Sequence, residues 1–265
     1  MSVAVIAGEG TLPEEIVSRL SARGEKPVVY AMREDCDALL EHAGEIIPVF
    51  KAELAGTIAD MSSRGIKQIL FAGFVPKTLI YRPEMMDSQA RKLVNSLENR
   101  DDHSILGGIV AAFEASGFEV IGYMDILSDL LASSGFIAGR NPRENELDDI
   151  SYGAYIARAV VPLSFGQSVI VNRRSVVAVE AMEGTDATIL RSGGLCKRGV
   201  LVKMIKPGQD TRFDIPVVGP QTLHLMKGAG LTCLAVHAGR TLIMSPGEFA
   251  LAAEKYDMAV VGIDY

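Results

Sequence analysis

Short apolar runs at 3–7, 27–31, 46–50, 68–72 and 119–123 alternate with segments of helical apolar spacing at 13–23, 34–42, 52–64 and 104–116. This alternation constrains the first half more than any other feature of the chain. Strands joined through helices must run parallel, and a parallel sheet is stable only when both its faces are covered. The turn-rich stretch SSGFIAGRNPRENELDD at 133–149 lacks apolar periodicity and reads as a linker. The expected division is a domain over 1–132, a linker over 133–149 and a second α/β domain over 150–265.

In the second half the pattern predicts a helix near 150–161, strands at 168–171 and 175–180, a helix at 186–192 and a strand at 199–204. Residues 232–237 and 240–244 straddle Ala238-Gly239 and predict a hairpin. Ser245 and Glu248 have the spacing of a capping box, ahead of a helix to about 256 and a closing strand at 258–263.

Composition narrows the function classes. Of 265 residues, 48% are hydrophobic and 22% charged, which is globular. The net charge of −7 argues against a broad grip on nucleic acid, where cations must neutralise phosphates, but leaves room for a local basic cluster. Cys36, Cys196 and Cys233 form no close pair, so neither a zinc site nor a disulfide framework is expected, and a reducing cytoplasm fits. The start MSVAVIAGEG lacks the basic opening of a secretory signal, and no apolar run reaches the roughly 18 residues a membrane helix needs. A soluble protein is expected, and one that can still receive an acyl chain in a groove.

Two glycine turns follow expected strands. GEGTLP at 8–13 leads from the first strand into a helix, where glycines let amides approach a phosphate and the helix terminus adds partial positive charge. Pro13 stands where the dinucleotide fingerprint has its third glycine, and a tight turn with proline in the first helical turn explains the stretch equally. FAGFVPK at 71–77 repeats the arrangement, with Gly73 as the turn and Lys77 as a candidate phosphate contact. Asp101 and Asp102 read as helix-start carboxylates, and Glu183-Gly-Thr-Asp186 as a turn with a cap. His42, His103, His224 and His237 show no metal-ligand spacing, and neither a GxSxG elbow nor a P-loop is present.

The densest chemistry is KMIKPGQDTRFD at 203–214. Lys203, Lys206 and Arg212 could neutralise phosphate oxygens, while Asp210 and Asp214 could hold a divalent cation or orient water; a solvated salt-bridged loop is the alternative. Phosphoryl displacement needs both charge types, positive for the oxygens and acidic for metal or nucleophile.

With these blocks in place, the chain resembles the UDP-2,3-diacylglucosamine pyrophosphatases of lipid A biosynthesis, the metal-dependent type unrelated to the calcineurin-like enzymes. The resemblance rests on IAGEGTLP at 6–13, FAGFVPK, the Asp101-Asp102 pair, VEAMEGTDA at 179–187 and above all GVLVKMIKPGQDTRFDIPVVGPQTLH at 199–224. It implies hydrolysis of UDP-2,3-diacylglucosamine to UMP and 2,3-diacylglucosamine 1-phosphate (lipid X). It also implies a Rossmann-like N-terminal domain for the uridine nucleotide, a C-terminal catalytic domain for the acylated sugar phosphate, a magnesium or other divalent ion, and a cytoplasmic homodimer, peripheral at the inner membrane. By the same resemblance Asp214 is the catalytic carboxylate, and the nucleotide loops fall on Gly8, Gly10, Leu12, Pro13 and Gly73, with Thr11 in the first of them; from the charges, Asp214 is also expected to bind or position the metal. From the chemistry of the shared blocks, Lys203, Lys206 and Arg212 serve catalysis, and Gln209, Thr211, Glu183 and Asp186 the sugar or phosphate. The acyl chains are expected in an apolar groove of the second domain.

Two rival functions are consistent with parts of the sequence. A nicotinamide-dependent oxidoreductase would use GEGTLP with Glu34 or Asp35 on the ribose, and a noncatalytic UDP-sugar sensor would bind nucleotide without releasing UMP. The grouped Asp, Lys and Arg residues at 203–214 favour the hydrolase.

Overall fold

The structure, a computed structural model, describes residues 3–75, 82–99, 101–205 and 208–264. The chain divides into two compact units, Met1–Leu127 with Asp210–Asp214, and Ser128–Gln209 with Ile215–Tyr265.

In the first unit β1 (Val3–Ala7), β2 (Val28–Ala31), β3 (Glu45–Pro48), β4 (Gln68–Ala72) and β5 (Glu119–Val120) form one parallel sheet in the order β3-β2-β1-β4-β5. All five residues of β1 are buried, as a central strand covered on both faces requires. The helices are α1 (Leu12–Ala22), α2 (Asp37–Leu40), α3 (Leu54–Ser63), α4 (Ser88–Ser96) and α5 (Asp102–Ala115). One core cluster joins Ile6, Tyr30 and Phe71 of the strands to Leu54, Met61, Val110 and Phe113 of the helices. Phe113 packs edge-on against Phe71 and Phe118, with ring centroids 5.7 and 5.9 Å away.

Local sequence explains the helix starts. Asp101 caps α5, its carboxylate accepting from the Ser104 amide at 3.1 Å and hydroxyl at 2.7 Å, as a helix-start acid should. Asp87 caps α4 in the same manner, accepting from the Ala90 amide at 2.7 Å. The sequence reading has no helix at α4.

The second unit contains a six-stranded sheet in the order β6-β13-β11-β9-β7-β8. Its strands are β6 (Gly135–Gly139), β7 (Ser168–Asn172), β8 (Ser175–Val179), β9 (Val200–Lys203), β11 (Cys233–His237) and β13 (Ala259–Ile263). The central strands β9, β11 and β13 pair in parallel, while the β6–β13, β7–β9 and β7–β8 pairings are antiparallel. Period-two alternation feeds two cores. Val169, Val171, Val200 and Val202 pack with Ile150 and Ala154 of α6 (Glu144–Val160). On the other face Ile170, Leu201, Leu234 and Val260 pack with α7 (Gly184–Ser192), α8 (Pro220–Ala229) and α9 (Pro246–Lys255).

Three local expectations are corrected. Residues 133–149 are not a linker: they form β6 and the first turns of α6, stabilised by Arg140 and the fully buried Glu146 joined by two 2.7 Å bonds. Residues 232–244 form no hairpin, because β11 pairs with β9 and β13, while β12 (Leu242–Ile243) pairs in parallel with β10 (Val217–Val218). Ser245 adopts a left-handed conformation, φ 47°, and makes no side-chain cap at the start of α9. The α/β class with a parallel N-terminal sheet is as the alternation predicts.

Candidate active site

Strand order in the first sheet reverses between β1 and β4, the place where ligands collect in open parallel sheets. Both glycine turns lie there. The Gly8 amide donates to the Ala72 carbonyl at 2.8 Å, the Glu9 amide to the Phe74 carbonyl at 2.7 Å, and the Phe74 amide back to the Glu9 carbonyl at 2.9 Å. A Cβ on Gly8 would stand 2.5 Å from the Phe74 oxygen, and one on Gly73 would stand 2.7 Å from the Glu9 oxygen, with φ already at +86°. The glycines are thus required by the approach of one turn to the other, which engages the amides of Gly8 and Glu9.

Gly10 and Thr11 remain exposed, whereas Leu12 and Pro13 turn into the fold. The Gly10 carbonyl accepts from Arg33 Nη1 at 2.8 Å, and Arg33 Nη2 lies 3.0 Å from a Glu14 oxygen. Arg33, just beyond β2, therefore fixes the glycine turn to α1. Sequence reasoning passed over it for the acids Glu34 and Asp35, although its place after the second strand was the available signal.

A cavity of about 330 Å³ opens beside Gly73, walled by Phe71, Phe74, Leu93, Leu106, Ile109 and Phe113. Among the described residues the charged members of its wall are Lys51, Glu53 and Asp214. All of these belong to the first unit, so this cavity lies there, whereas the acyl groove is expected from sequence in the second domain.

Asp214 reaches this wall because its neighbours attach the segment 210–214 to the first unit. Phe213, 9% exposed, joins the cluster containing Phe71, Phe113 and Phe118. Arg212 Nη1 donates to Glu114 at 2.7 Å and to the Val120 carbonyl at 3.3 Å, while Nε and Nη2 hold Asp210 at 3.1 and 2.8 Å. Asp210, then Glu114, raise the Arg212 pKa further above its ordinary range. In this structure the Arg212 guanidinium tethers protein carboxylates, and Asp210 is bound up with it. Asp214 itself is half-buried.

The other expected residues lie in the second unit, apart from half-buried Thr211. Lys203 ends β9, is 8% exposed, and donates from Nζ to Thr185 Oγ1 at 3.0 Å and the Val217 carbonyl at 3.3 Å. Thr185 in turn donates to Glu180 at 3.0 Å. Glu183 accepts from Thr188 at 3.1 Å and Arg191 at 2.8 Å. Its own amide, with those two donors, holds its carboxyl below the usual range against the opposing effect of burial. Asp186 is exposed and Gln209 buried. Lys206 and Lys77 lie outside the described residues.

Among the described residues no three His, Cys, Asp or Glu side chains gather into a metal cage. Magnesium does not need one, since it commonly takes one or two carboxylates and completes its shell with water and substrate phosphate. A single half-buried carboxylate at position 214 fits that donor chemistry.

The sequence matches the LpxI N-terminal domain over residues 2–130 and the LpxI C-terminal domain over 133–261. The chain belongs to the LpxI family. It is 30% identical to the UDP-2,3-diacylglucosamine pyrophosphatase LpxI of Caulobacter vibrioides over 279 aligned positions, covering 98% of this chain and 96% of that protein. The two family domains meet near residue 131, and the block that carries Asp214 lies in the C-terminal one. In space, residues 210–214 group with the first unit.

Proposed function

We propose that this chain hydrolyses the pyrophosphate bond of UDP-2,3-diacylglucosamine, giving UMP and 2,3-diacylglucosamine 1-phosphate. The observation that carries the proposal is the position of Asp214, a carboxylate in the wall of an apolar cavity that also borders the Gly73 turn. Family membership and the relative from Caulobacter vibrioides support the same reaction.

Water adds to one phosphorus, the bridging P–O bond breaks, and charge grows on the phosphate oxygens. Asp214 accepts a hydrogen bond from the attacking water and orients it. An apolar surround strengthens that interaction, because few solvent dipoles compete with it. Lys203, its ammonium held within the second unit by Thr185 and the Val217 carbonyl, supplies positive charge for the phosphate oxygens. A magnesium ion would be held by Asp214 and the substrate's phosphate oxygens, and when bound it neutralises their charge and acidifies water. Gly10 and Thr11, exposed beside the paired turns, face the nucleotide.

The cavity takes an acyl chain. At about 30 Å³ per water-sized group, 330 Å³ holds about eleven methylene-sized groups, enough for one chain. Each methylene buried contributes about 0.8 kcal/mol. The protein works as a homodimer, which sedimentation checks.

The test is UMP release from UDP-2,3-diacylglucosamine with and without a chelator, for the native protein and Asp214→Asn. Loss of release in the folded variant is expected. Unchanged release would remove Asp214 from the reaction, and NAD binding with no UMP release would favour the oxidoreductase.

A further inference from the structure

Three arginines of the second unit adopt the left-handed conformation that glycine or asparagine takes more easily: Arg173 at φ 53°, Arg174 at φ 56° and Arg198 at φ 62°. Arg173 and Arg174 are the two central residues of the β7–β8 hairpin, between the paired Asn172 and Ser175. Two positive φ values at such a turn call for a sequence such as Asn-Gly. Here the strain is held by Asp149, buried beneath the turn, whose carboxylate accepts from the Arg173 amide at 2.9 Å and the Arg174 amide at 2.6 Å.

The same end of the sheet gathers more positive charge. Val171 pairs with Val200, so the hairpin tip lies beside the turn that enters β9, and Asn172 Nδ2 donates to the Lys197 carbonyl at 2.6 Å. The Arg198 amide donates to the Gly230 carbonyl at 2.7 Å, which brings in Lys227 from the last turn of α8. Arg173, Arg174, Lys197, Arg198 and Lys227 are all exposed, and among the described residues none forms an ion pair. Elsewhere Arg140, Arg143, Arg191 and Arg212 each meet a carboxylate. Apolar side chains stand among the five cations: Leu195 is 65% exposed and Val176 38%.

We infer that this basic end of the second unit is a docking surface for an anionic phospholipid membrane. Five unpaired cations in a chain of net charge −7 make a strongly asymmetric surface, and such clusters are drawn to lipid phosphates over about a Debye length. Exposed leucine and valine beside the cations suit the interfacial region, which a nucleic acid backbone would leave unpartnered. The inference stands apart from the proposed reaction, since binding is read without substrate.

The decisive variant is Arg173→Asn with Arg174→Gly, which removes two charges while installing the residues the turn favours. Each Lys or Arg near an anionic surface changes partitioning about fivefold, so binding to phosphatidylethanolamine–phosphatidylglycerol vesicles at low salt falls about 25-fold. The thermal midpoint stays level or rises, phosphatidylcholine vesicles bind neither protein, and UMP release from detergent-dispersed substrate is unchanged. Lys197→Gln with Lys227→Gln, outside the strained turn, shows a similar loss. Equal vesicle binding by native protein and variants would overturn the inference, as would a native protein that ignores anionic vesicles. Displacement by inorganic phosphate at constant ionic strength, or equally tight capture of a single-stranded oligonucleotide, would overturn it in favour of a discrete phosphate site or nucleic acid.

Discussion

If Asp214 works from a segment held on the first unit by its neighbours, the holding residues should rank by their burial. Phe213 is 9% exposed within an aromatic cluster, and Phe→Ala at such sites costs about 3–5 kcal/mol. Arg212 has more hydrogen bonds, but its side chain is 38% exposed and that of Glu114 41%, so the pair contributes about 0.2–1 kcal/mol. At about 1.4 kcal/mol per decade, losing the phenyl ring lowers the population of attached segment by up to about three and a half decades, and losing the guanidinium by up to about fivefold. Phe213→Ala should therefore reduce kcat for UMP release at least tenfold, and Arg212→Ala only a few-fold. Phe213→Leu, which keeps most of the apolar volume, should recover most of the rate. Saturating substrate and assay temperatures well below the thermal midpoint keep global unfolding out of the measurement. A greater loss for Arg212→Ala than for Phe213→Ala would refute the reasoning. So would a Phe213→Ala protein with a lowered midpoint and native turnover, because Phe213 would then be ordinary core.

Three further expectations concern stability and specificity. Burial pushes the Glu146 carboxyl upward, but Arg140, the Arg143 amide and the Thr232 hydroxyl outweigh it and hold it below its ordinary value. Its contribution is therefore present above the usual glutamate range and lost as pH falls through the depressed folded value. Glu146→Gln should flatten the acid limb of a stability–pH curve, and Glu146→Ala should lose about 2–3 kcal/mol in denaturant unfolding, because it takes the two short bonds from Arg140 and leaves it only the exposed Asp257 carboxylate and backbone carbonyls. Gly73→Ala meets backbone at 2.7 and 2.9 Å besides adopting φ +86°, whereas Gly10→Ala at φ +96° meets open space. The first should cost well over 2 kcal/mol and the second about 1 kcal/mol in the same assay. Ile109→Trp should fill part of the cavity and lower kcat/KM for long-acyl substrates relative to short ones, about fourfold per displaced methylene.

The first sheet was readable because its strands are continuous apolar runs: β1 and β4 occupy the predicted 3–7 and 68–72. Helix α4 was missed because only Ala90 and Val94 of its nine residues are buried, too few to set a period, although Asp87 announces it as a cap. Residues 133–149 looked like linker because β6 is an edge strand, exposed at Gly135 and Phe136, and because the start of α6 buries acids, Glu146 on Arg140 and Asp149 on two backbone amides, where apolar periodicity would be sought. Glycine turns were visible, but their partner was not: each reads as a phosphate cradle alone, and only the strand order shows that they close on one another.

The broken, charged block at 203–214 follows from the same division. Lys203 completes a strand of the second sheet, while 210–214 belong to the first unit, and the chain rejoins the second unit at Ile215. A regular helix or strand could not contribute residues to two units within twelve positions. Gly208 lies between them at φ +73°. Beyond that glycine, alternating charge divides by role: Arg212 satisfies Asp210 and Glu114 and fastens the excursion, Phe213 anchors it in apolar surroundings, and Asp214 is the acid carried into the cavity wall. Sequence spacing cannot tell an arginine that binds a substrate phosphate from one that binds its own chain's carboxylates, because both need the same guanidinium in the same loop. The distinction lies in Glu114, 98 residues earlier, whose position on α5 only the fold supplies.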